Sequence, residues 1–177
     1  MVRNLIIAMF LIVFCQTAWS AEIVELQLQD KLDEKRGFCI DIRGHKERAK
    51  VKKGLQAHSC YSYQGTIAVD QAFDRDLLKQ GLFFMPAFDV CMEAEGYFKN
   101  AKLMLNKCSD EAFQKFELTK NDMIKIKSKP EFCVVISSKK SRQGGGGTPS
   151  HLIRSLVIED CLKVDRKYST WRVNVVQ

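Results

Sequence analysis

Cysteine is the residue type whose number and spacing most directly predict chemistry in this sequence. The chain has seven cysteines. All but Cys15 lie beyond the N-terminal segment, at Cys39, Cys60, Cys91, Cys108, Cys133 and Cys161. An even number of cysteines in an exported chain is typical of disulfide bonds, and here it predicts three of them. The count alone leaves every pairing open, so the connectivity depends on the elements that carry the cysteines.

Side-chain patterns that are typical of enzymes do not occur in the sequence. The three histidines, His45, His58 and His151, form no His-Glu-x-x-His motif, and there is no Gly-x-Ser-x-Gly motif. Cysteines held in disulfides are neither nucleophiles nor metal ligands. We therefore expect no catalysis, no metal and no cofactor, although paired carboxylates that meet only in the folded chain would escape this argument.

The N-terminal segment has the pattern of a secretory signal peptide. Arg3 is followed by an apolar run over residues 5–14 and by small residues near Ser20. We expect cleavage after Ser20, so that residues 1–20 are removed and residues 21–177 form one domain, secreted or periplasmic. The apolar run, about ten residues long, is too short to span a membrane, and we expect no membrane-spanning segment.

Three parts of the chain repeat the same order of elements. Each has a strand that begins at a cysteine, an apolar strand that ends at the next cysteine, and a Gln-x-aromatic element or its remnant. The repeats cover about residues 37–85, 86–128 and 129–173. Short segments with alternating polarity, separated by turn formers, predict strands, and only residues 68–79 suggest a helical turn.

Repeats of this size cannot each bury an apolar face alone. Packed around a threefold axis, they close a barrel and share one core, which predicts an all-β protein. The two cysteines of each repeat then face each other, and the predicted disulfides are Cys39–Cys60, Cys91–Cys108 and Cys133–Cys161. In each repeat the third element is the Gln-x-aromatic element or its remnant, and its aromatic residue is expected in the core: Phe73, Phe116 and Trp171.

In these cysteine pairs and Gln-x-aromatic elements the chain resembles the ricin-type (ricin B-chain-like) β-trefoil lectins. The resemblance covers residues 37–173, and its third Gln-x-aromatic element is weakened to Ser169-Thr170-Trp171. It implies a β-trefoil of three repeats and a secreted protein that binds a glycan or polysaccharide. Nucleic acid is not an expected partner.

The resemblance also implies where a sugar would bind in the first repeat. A shallow sugar site needs a carboxylate for hydroxyl groups, an amide and a flat ring. These positions fall on Asp41, His58, Asp70 and Gln71, with His58 in the ring position. We expect this repeat to hold the main site, and we expect the charge of His58 to change near pH 6–7.

The other two repeats keep less of the pattern. The second has Glu93, Asn106 and Gln114, with an amide at the ring position, and is a weaker second candidate. The third has neither the carboxylate nor the glutamine: its equivalent residues are Val135, Glu159, Tyr168 and Ser169. We expect the third repeat to be structural.

Two segments depart from a plain trefoil and leave alternatives open. Residues 43–53, RGHKERAKVKK, are strongly basic and suggest either a solvated hairpin or a preference for acidic glycans or other polyanions. Residues 139–150, KKSRQGGGGTPS, are expected to form a mobile loop. Their four glycines do not indicate a phosphate-binding loop, because no Gly-Lys-Ser/Thr follows them. This loop would be the inhibitory segment if the protein were a protease inhibitor. A trefoil that has lost sugar binding and contacts proteins is a further alternative.

Overall fold

The computed structural model describes residues 22–176, without the side chain of Glu47. The predicted signal peptide, residues 1–20, lies outside the described residues. The strands are β1 Ile23–Leu28, β2 Phe38–Ile42, β3 Leu55–Ser59, β4 Phe73–Asp74, β5 Phe84–Met85, β6 Val90–Ala94, β7 Ala101–Asn106, β8 Phe116–Leu118, β9 Ile124–Ile126, β10 Lys129–Ile136, β11 Arg142–Gln143, β12 Leu152–Arg154, β13 Leu156–Asp160 and β14 Trp171–Asn174. The protein is all-β, as predicted.

Helical structure is short. The helix α1, Arg75–Gln80, begins at Asp74, whose carboxylate accepts hydrogen bonds from the N–H groups of Asp76 and Leu77. The 3-10 helices are Lys46–Arg48, Val51–Lys53, Ser62–Gln64, Val69–Gln71, Pro86–Phe88, Ala112–Gln114, Cys161–Lys163 and Arg166–Tyr168. Across residues 22–176, no helix has both the length and the apolar character needed to cross a bilayer.

The strands form two antiparallel sheets that link the repeats. In one sheet the order is β11-β12-β3-β2-β1-β14, with β4 also paired to β1. In the other it is β5-β6-β7-β13-β10-β9-β8. The N-terminal strand therefore pairs with the C-terminal strand, and β12 from the third repeat pairs with β3 from the first.

The three repeats share one strand register. Cys39 lies opposite His58, Cys91 opposite Asn106, and Cys133 opposite Glu159, so the second cysteine of each repeat lies just beyond the paired residue. A 3-10 helix then leads into the strand that carries the aromatic residue of the third element. This threefold repetition of one unit is the β-trefoil arrangement.

One apolar core is shared by all three repeats. Phe73, Phe116 and Trp171 are fully buried in it, as predicted from their places in the third elements. Phe83 bridges the first two rings, with centroids 6.4 Å from Phe73 and 5.5 Å from Phe116. The indole Nε1 of Trp171 donates a 3.0 Å hydrogen bond to the Val134 carbonyl. The aromatic residues are therefore structural.

Two of the three predicted disulfides are formed, Cys39–Cys60 and Cys91–Cys108. The third predicted bond, Cys133–Cys161, is not formed, and both cysteines are free thiols in the structure. They lie in one apolar cluster. Cys161 opens a 3-10 helix, and its Sγ lies 3.9 Å from the Pro130 carbonyl oxygen. The two thiols nevertheless lie within hydrogen-bonding reach of each other.

Candidate functional site

In the first repeat, Asp41 and Gln71 form a buried hydrogen-bonded unit. Asp41 on β2 lies opposite Gln56 on β3, and the Gln56 amide donates to Asp41 Oδ1 over 2.9 Å. The Gln71 amide donates to Asp41 Oδ2 over 3.1 Å and to the Ser59 carbonyl over 3.0 Å. Gln71 Oε1 accepts the Tyr61 N–H at 3.0 Å. These side chains therefore fasten β2, β3 and the third element together.

Asp70 places a second carboxylate behind the same face. It is fully buried; its Oδ2 accepts the Lys46 N–H at 3.3 Å and lies 3.5 Å from His45 Nδ1. Its Oδ1 has no hydrogen-bond partner among the described residues. Burial, and then the nearby charge of Asp70, raise the pKa of Asp41 well above its usual range. The basic segment thus folds down onto the Asp70 carboxylate.

His58 occupies the predicted ring position but is only 4% exposed. Its ring stacks on Tyr61 with centroids 5.3 Å apart and meets the edge of His151 at 5.1 Å. Its Nδ1 lies 3.0 Å from the Ser59 carbonyl oxygen. Burial lowers the pKa of His58 to about 4. The expectation that its charge changes near pH 6–7 is therefore wrong, because a desolvated imidazole resists protonation.

A cleft of about 1000 Å³ opens above these residues. Gln56, His58 and Tyr61 line its floor, whereas Asp41, Asp70 and Gln71 lie behind the floor and do not line it. One wall is the basic segment 43–53, and the other is formed by residues 142–153. The structure thus brings the four predicted residues of the first repeat together, but it exposes only His58 to the cleft.

The second wall comes from the third repeat. β11 pairs with β12 and β12 pairs with β3, so that Arg142, Ile153 and His58 follow one another across the sheet. The insertion expected to be a mobile loop, residues 139–150, is therefore partly a strand, because Arg142–Gln143 pairs with β12. Arg142 and His151 were not predicted from the sequence as cleft residues. The apolar residues Leu152 and Ile153, which follow the glycines, were the available signal for a strand at this position.

Ion pairs and hydrogen bonds hold both ends of this insertion. Arg36 donates to the carbonyls of Pro149 at 3.1 Å and Ser150 at 3.0 Å, and it pairs with Glu34 at 2.7 Å. Against the effect of burial, hydrogen bonds from Arg36 and Ser59 lower the pKa of Glu34 to about 2. These contacts hold the C-terminal end of the glycine segment, residues 144–147, beside the cleft.

At the other end of the insertion, Arg154 is the anchor. It pairs with Asp33 at 2.8 Å and donates to the carbonyls of Ser137 at 2.8 Å and Lys139 at 2.6 Å. Ser141 Oγ also donates to Asp33, at 2.8 Å. These contacts fix where the insertion leaves the barrel, and so they place Arg142 beside the cleft.

The second repeat contains the same unit at the surface. The amides of Asn106 and Gln114 donate to the two oxygens of Glu93, each over 2.7 Å. Gln114 also donates to the Lys107 carbonyl at 3.0 Å and accepts the Ser109 N–H at 2.8 Å. Gln114 is buried, whereas Asn106 is exposed and Glu93 is half-buried. The predicted weaker residues are thus brought together, with part of the unit open to solvent.

The third repeat has no equivalent unit. Val135 takes the place of the carboxylate, and the Ser169 hydroxyl is buried without a partner among the described residues. A cleft of about 1020 Å³ lies here, with Glu159 and Tyr168 in its lining. Its charged residues have both signs: Lys99, Lys139, Lys163, Glu131, Glu159, Asp160 and Asp165.

Comparison with solved structures supports the fold. The chain is similar to the β-trefoil lectin of the Vibrio vulnificus hemolysin/cytolysin, whose crystal structure has N-acetyl-D-lactosamine bound. The TM-score is 0.51 and the identity is 16%, over 89% of this chain and 97% of the lectin chain. No family model and no curated protein matches the sequence. At this identity the similarity establishes a β-trefoil and leaves the ligand to be argued from the site.

Proposed function

We propose that this protein is exported and binds carbohydrate, chiefly in the cleft of the first repeat. The observation that carries the proposal is the cleft floor, where the Gln56 amide and the His58 ring lie side by side above the buried Asp41. An amide that donates and accepts, beside a flat ring, suits the hydroxyl and C–H faces of a sugar. The Vibrio lectin with its bound disaccharide supports carbohydrate as the ligand class.

The four residues of the first repeat have different roles in this proposal. His58 contacts the ligand. Asp41 and Gln71 act as positioning residues, because Asp41 holds the Gln56 amide from behind and Gln71 holds Asp41. Asp70 holds the basic wall through the Lys46 N–H. A single shallow site of this kind is expected to bind in the range of about 1 mM, so avidity would need repeated ligand units.

The second repeat is the other candidate site. Glu93 and Asn106 offer a carboxylate and an amide to solvent, and Gln114 holds Glu93 from beneath. The stacked rings of Tyr97 and Phe113, with centroids 4.4 Å apart, belong to the same repeat. These residues would act without the basic wall of the first repeat, so the ligands of the two sites need not be the same.

The structure favours the cleft over a protease-inhibitory loop. Arg36 and Arg154 hold residues 139–150, of which Arg142 and residues 145–147 line the cleft. An inhibitory loop has to project and enter a protease instead. A trefoil that contacts only proteins remains the competing function, and it predicts no saccharide binding in either repeat.

A glycan array tests the proposal with the oxidised protein and two variants, His58→Ala for the first repeat and Asn106→Ala for the second. We expect hits that are lost in His58→Ala and retained in Asn106→Ala, with both variants folded by circular dichroism. The reverse pattern would move the site to the second repeat. An array without hits for any of the three proteins would contradict carbohydrate binding.

A further inference from the structure

The cleft of the first repeat is lined by cations. Six lysine and arginine side chains contribute to it: Arg43, Lys46, Arg48, Lys50, Lys53 and Arg142. No carboxylate is found in its lining among the described residues. Nor does any of the six form an ion pair with a described carboxylate. The cleft of the third repeat is of equal size but has acids beside its lysines, so the charge is specific to the first repeat.

These cations face each other across the cleft. Five of them lie on the segment 43–53 of the first repeat, and Arg142 lies on the opposite wall, supplied by the third repeat. Arg142 lies two strands away from His58 across the sheet, which is about 10 Å at the usual spacing between strands. Its guanidinium lies 3.5 Å from the Oε1 atom of Gln56 on the floor. A ligand on the floor would therefore be within reach of positive charge from both sides.

The glycine segment adds uncharged donors to the same wall. Gly145, Gly146 and Gly147 line the cleft, and in the described residues their N–H groups have no backbone acceptor. Gly146 and Gly147 have φ values of +77° and +79°, which residues other than glycine rarely adopt. Free backbone N–H groups beside cationic side chains are a common way to hold an oxyanion.

We propose that the saccharide bound in this cleft carries an anionic group, a sulfate, phosphate or carboxylate, held between Arg142 and the basic segment 43–53. The inference rests on the proposed function and names its ligand class. Unpaired cations in one concave site repel each other, and a bound anion removes this repulsion while the walls reduce screening by solvent. His58 and His151 contribute no charge at neutral pH, because burial lowers the pKa of both.

The binding experiment uses the oxidised protein and matched pairs of oligosaccharides in calorimetric titrations. The pairs are a sulfated galactan oligosaccharide and its desulfated parent, a phosphomannan oligosaccharide and its dephosphorylated parent, and an oligogalacturonate and its methyl ester. Single-stranded DNA of similar charge is the competing polyanion. We expect at least one anionic saccharide to bind about tenfold or more tightly than its neutral parent, and more tightly than the DNA.

Two double variants, each of which loses two positive charges, distinguish the effect of the cleft on binding from the effect of net charge. Arg142→Gln with Lys53→Gln removes one cation from each wall, whereas Lys99→Gln with Lys163→Gln removes two cations from the third-repeat cleft. We expect the first pair to weaken binding of the anionic saccharide by about tenfold and to reduce its salt dependence. The second pair should leave both unchanged.

The outcomes separate this inference from the proposed function. If neutral and anionic members of each pair bind equally, carbohydrate binding stands and the anionic ligand class is overturned. If no saccharide binds, both fail. If the DNA binds as tightly as the best saccharide, or if both double variants weaken binding alike, the cleft is a general polyanion surface and the inference is overturned.

Discussion

The Gln71 amide donates to the Asp41 carboxylate over 3.1 Å, and both side chains are buried. Gln114 makes the same contact with Glu93 over 2.7 Å in the second repeat. In both repeats the glutamine also bonds backbone on either side of the second cysteine. The acid and the glutamine are therefore part of the fold before they are part of any site, and substitutions there change stability as well as binding.

Replacing Asp41 by alanine is expected to destabilise the protein. The amides of Gln56 and Gln71 would lose their shared acceptor inside the fold, at a cost of about 2–4 kcal/mol in the free energy of unfolding. Asp41→Asn keeps an acceptor for only one of the two amides, so it should cost less than Asp41→Ala. Urea unfolding at neutral pH measures both; equal losses would show that the acceptor kept by asparagine contributes little.

Acid is expected to destabilise the protein through His58. Its pKa is lowered from 6.5 to about 4, so the folded state favours neutral imidazole. The stabilisation is complete above pH 6.5 and is lost as the pH falls towards 4, by at most about 3 kcal/mol. Asp41 has the opposite sign, because its pKa is raised.

The His58→Phe variant isolates the contribution of His58 to this pH dependence, since Asp41 is common to both proteins. Unfolding free energies measured from pH 7 to pH 4 should fall less steeply in the variant than in the wild type. Parallel curves would mean that His58 is protonated in the folded protein near its ordinary pKa.

The third cysteine pair is expected to form a disulfide on oxidation. Cys133 lies opposite Glu159, and Cys161 is placed beyond it as Cys60 and Cys108 are in the bonded pairs. The two thiols are already within hydrogen-bonding reach of each other, so closing the bond needs no change of register. Peptide mapping without reductant, after exposure to oxidised glutathione, should detect a Cys133–Cys161 peptide. Thiols that remain free would identify a true two-disulfide protein.

Releasing the insertion is expected to open the cleft. Arg36→Ala removes the donors to the carbonyls of Pro149 and Ser150, and it leaves Glu34 without its ion-pair partner. Limited proteolysis should then cut within residues 139–150 several times faster. Arg166→Ala is the control, since Arg166 donates to the Asn121 carbonyl away from the cleft. Equal cleavage of the two variants would show that Arg36 does not hold the insertion.

The repeating unit can be predicted from the amino-acid sequence. The cysteine spacing, the alternating strands and the aromatic residues Phe73, Phe116 and Trp171 predict an all-β trefoil, and the structure has it. These features are readable because each depends on periodicity within one repeat: strand polarity, register from cysteine to cysteine, and a large ring that has to be buried.

The surroundings of the first-repeat residues depend on contacts between distant segments of the folded chain. Asp41, Asp70 and Gln71 are buried because segment 43–53 folds over Asp70 and because β12, far along the chain, pairs with β3. The pKa of His58 follows from that burial, and Arg142 reaches the cleft through the same pairing. Contacts between distant parts of a chain depend on packing and not on local pattern, so the wall supplied by the third repeat could not be predicted from either segment alone.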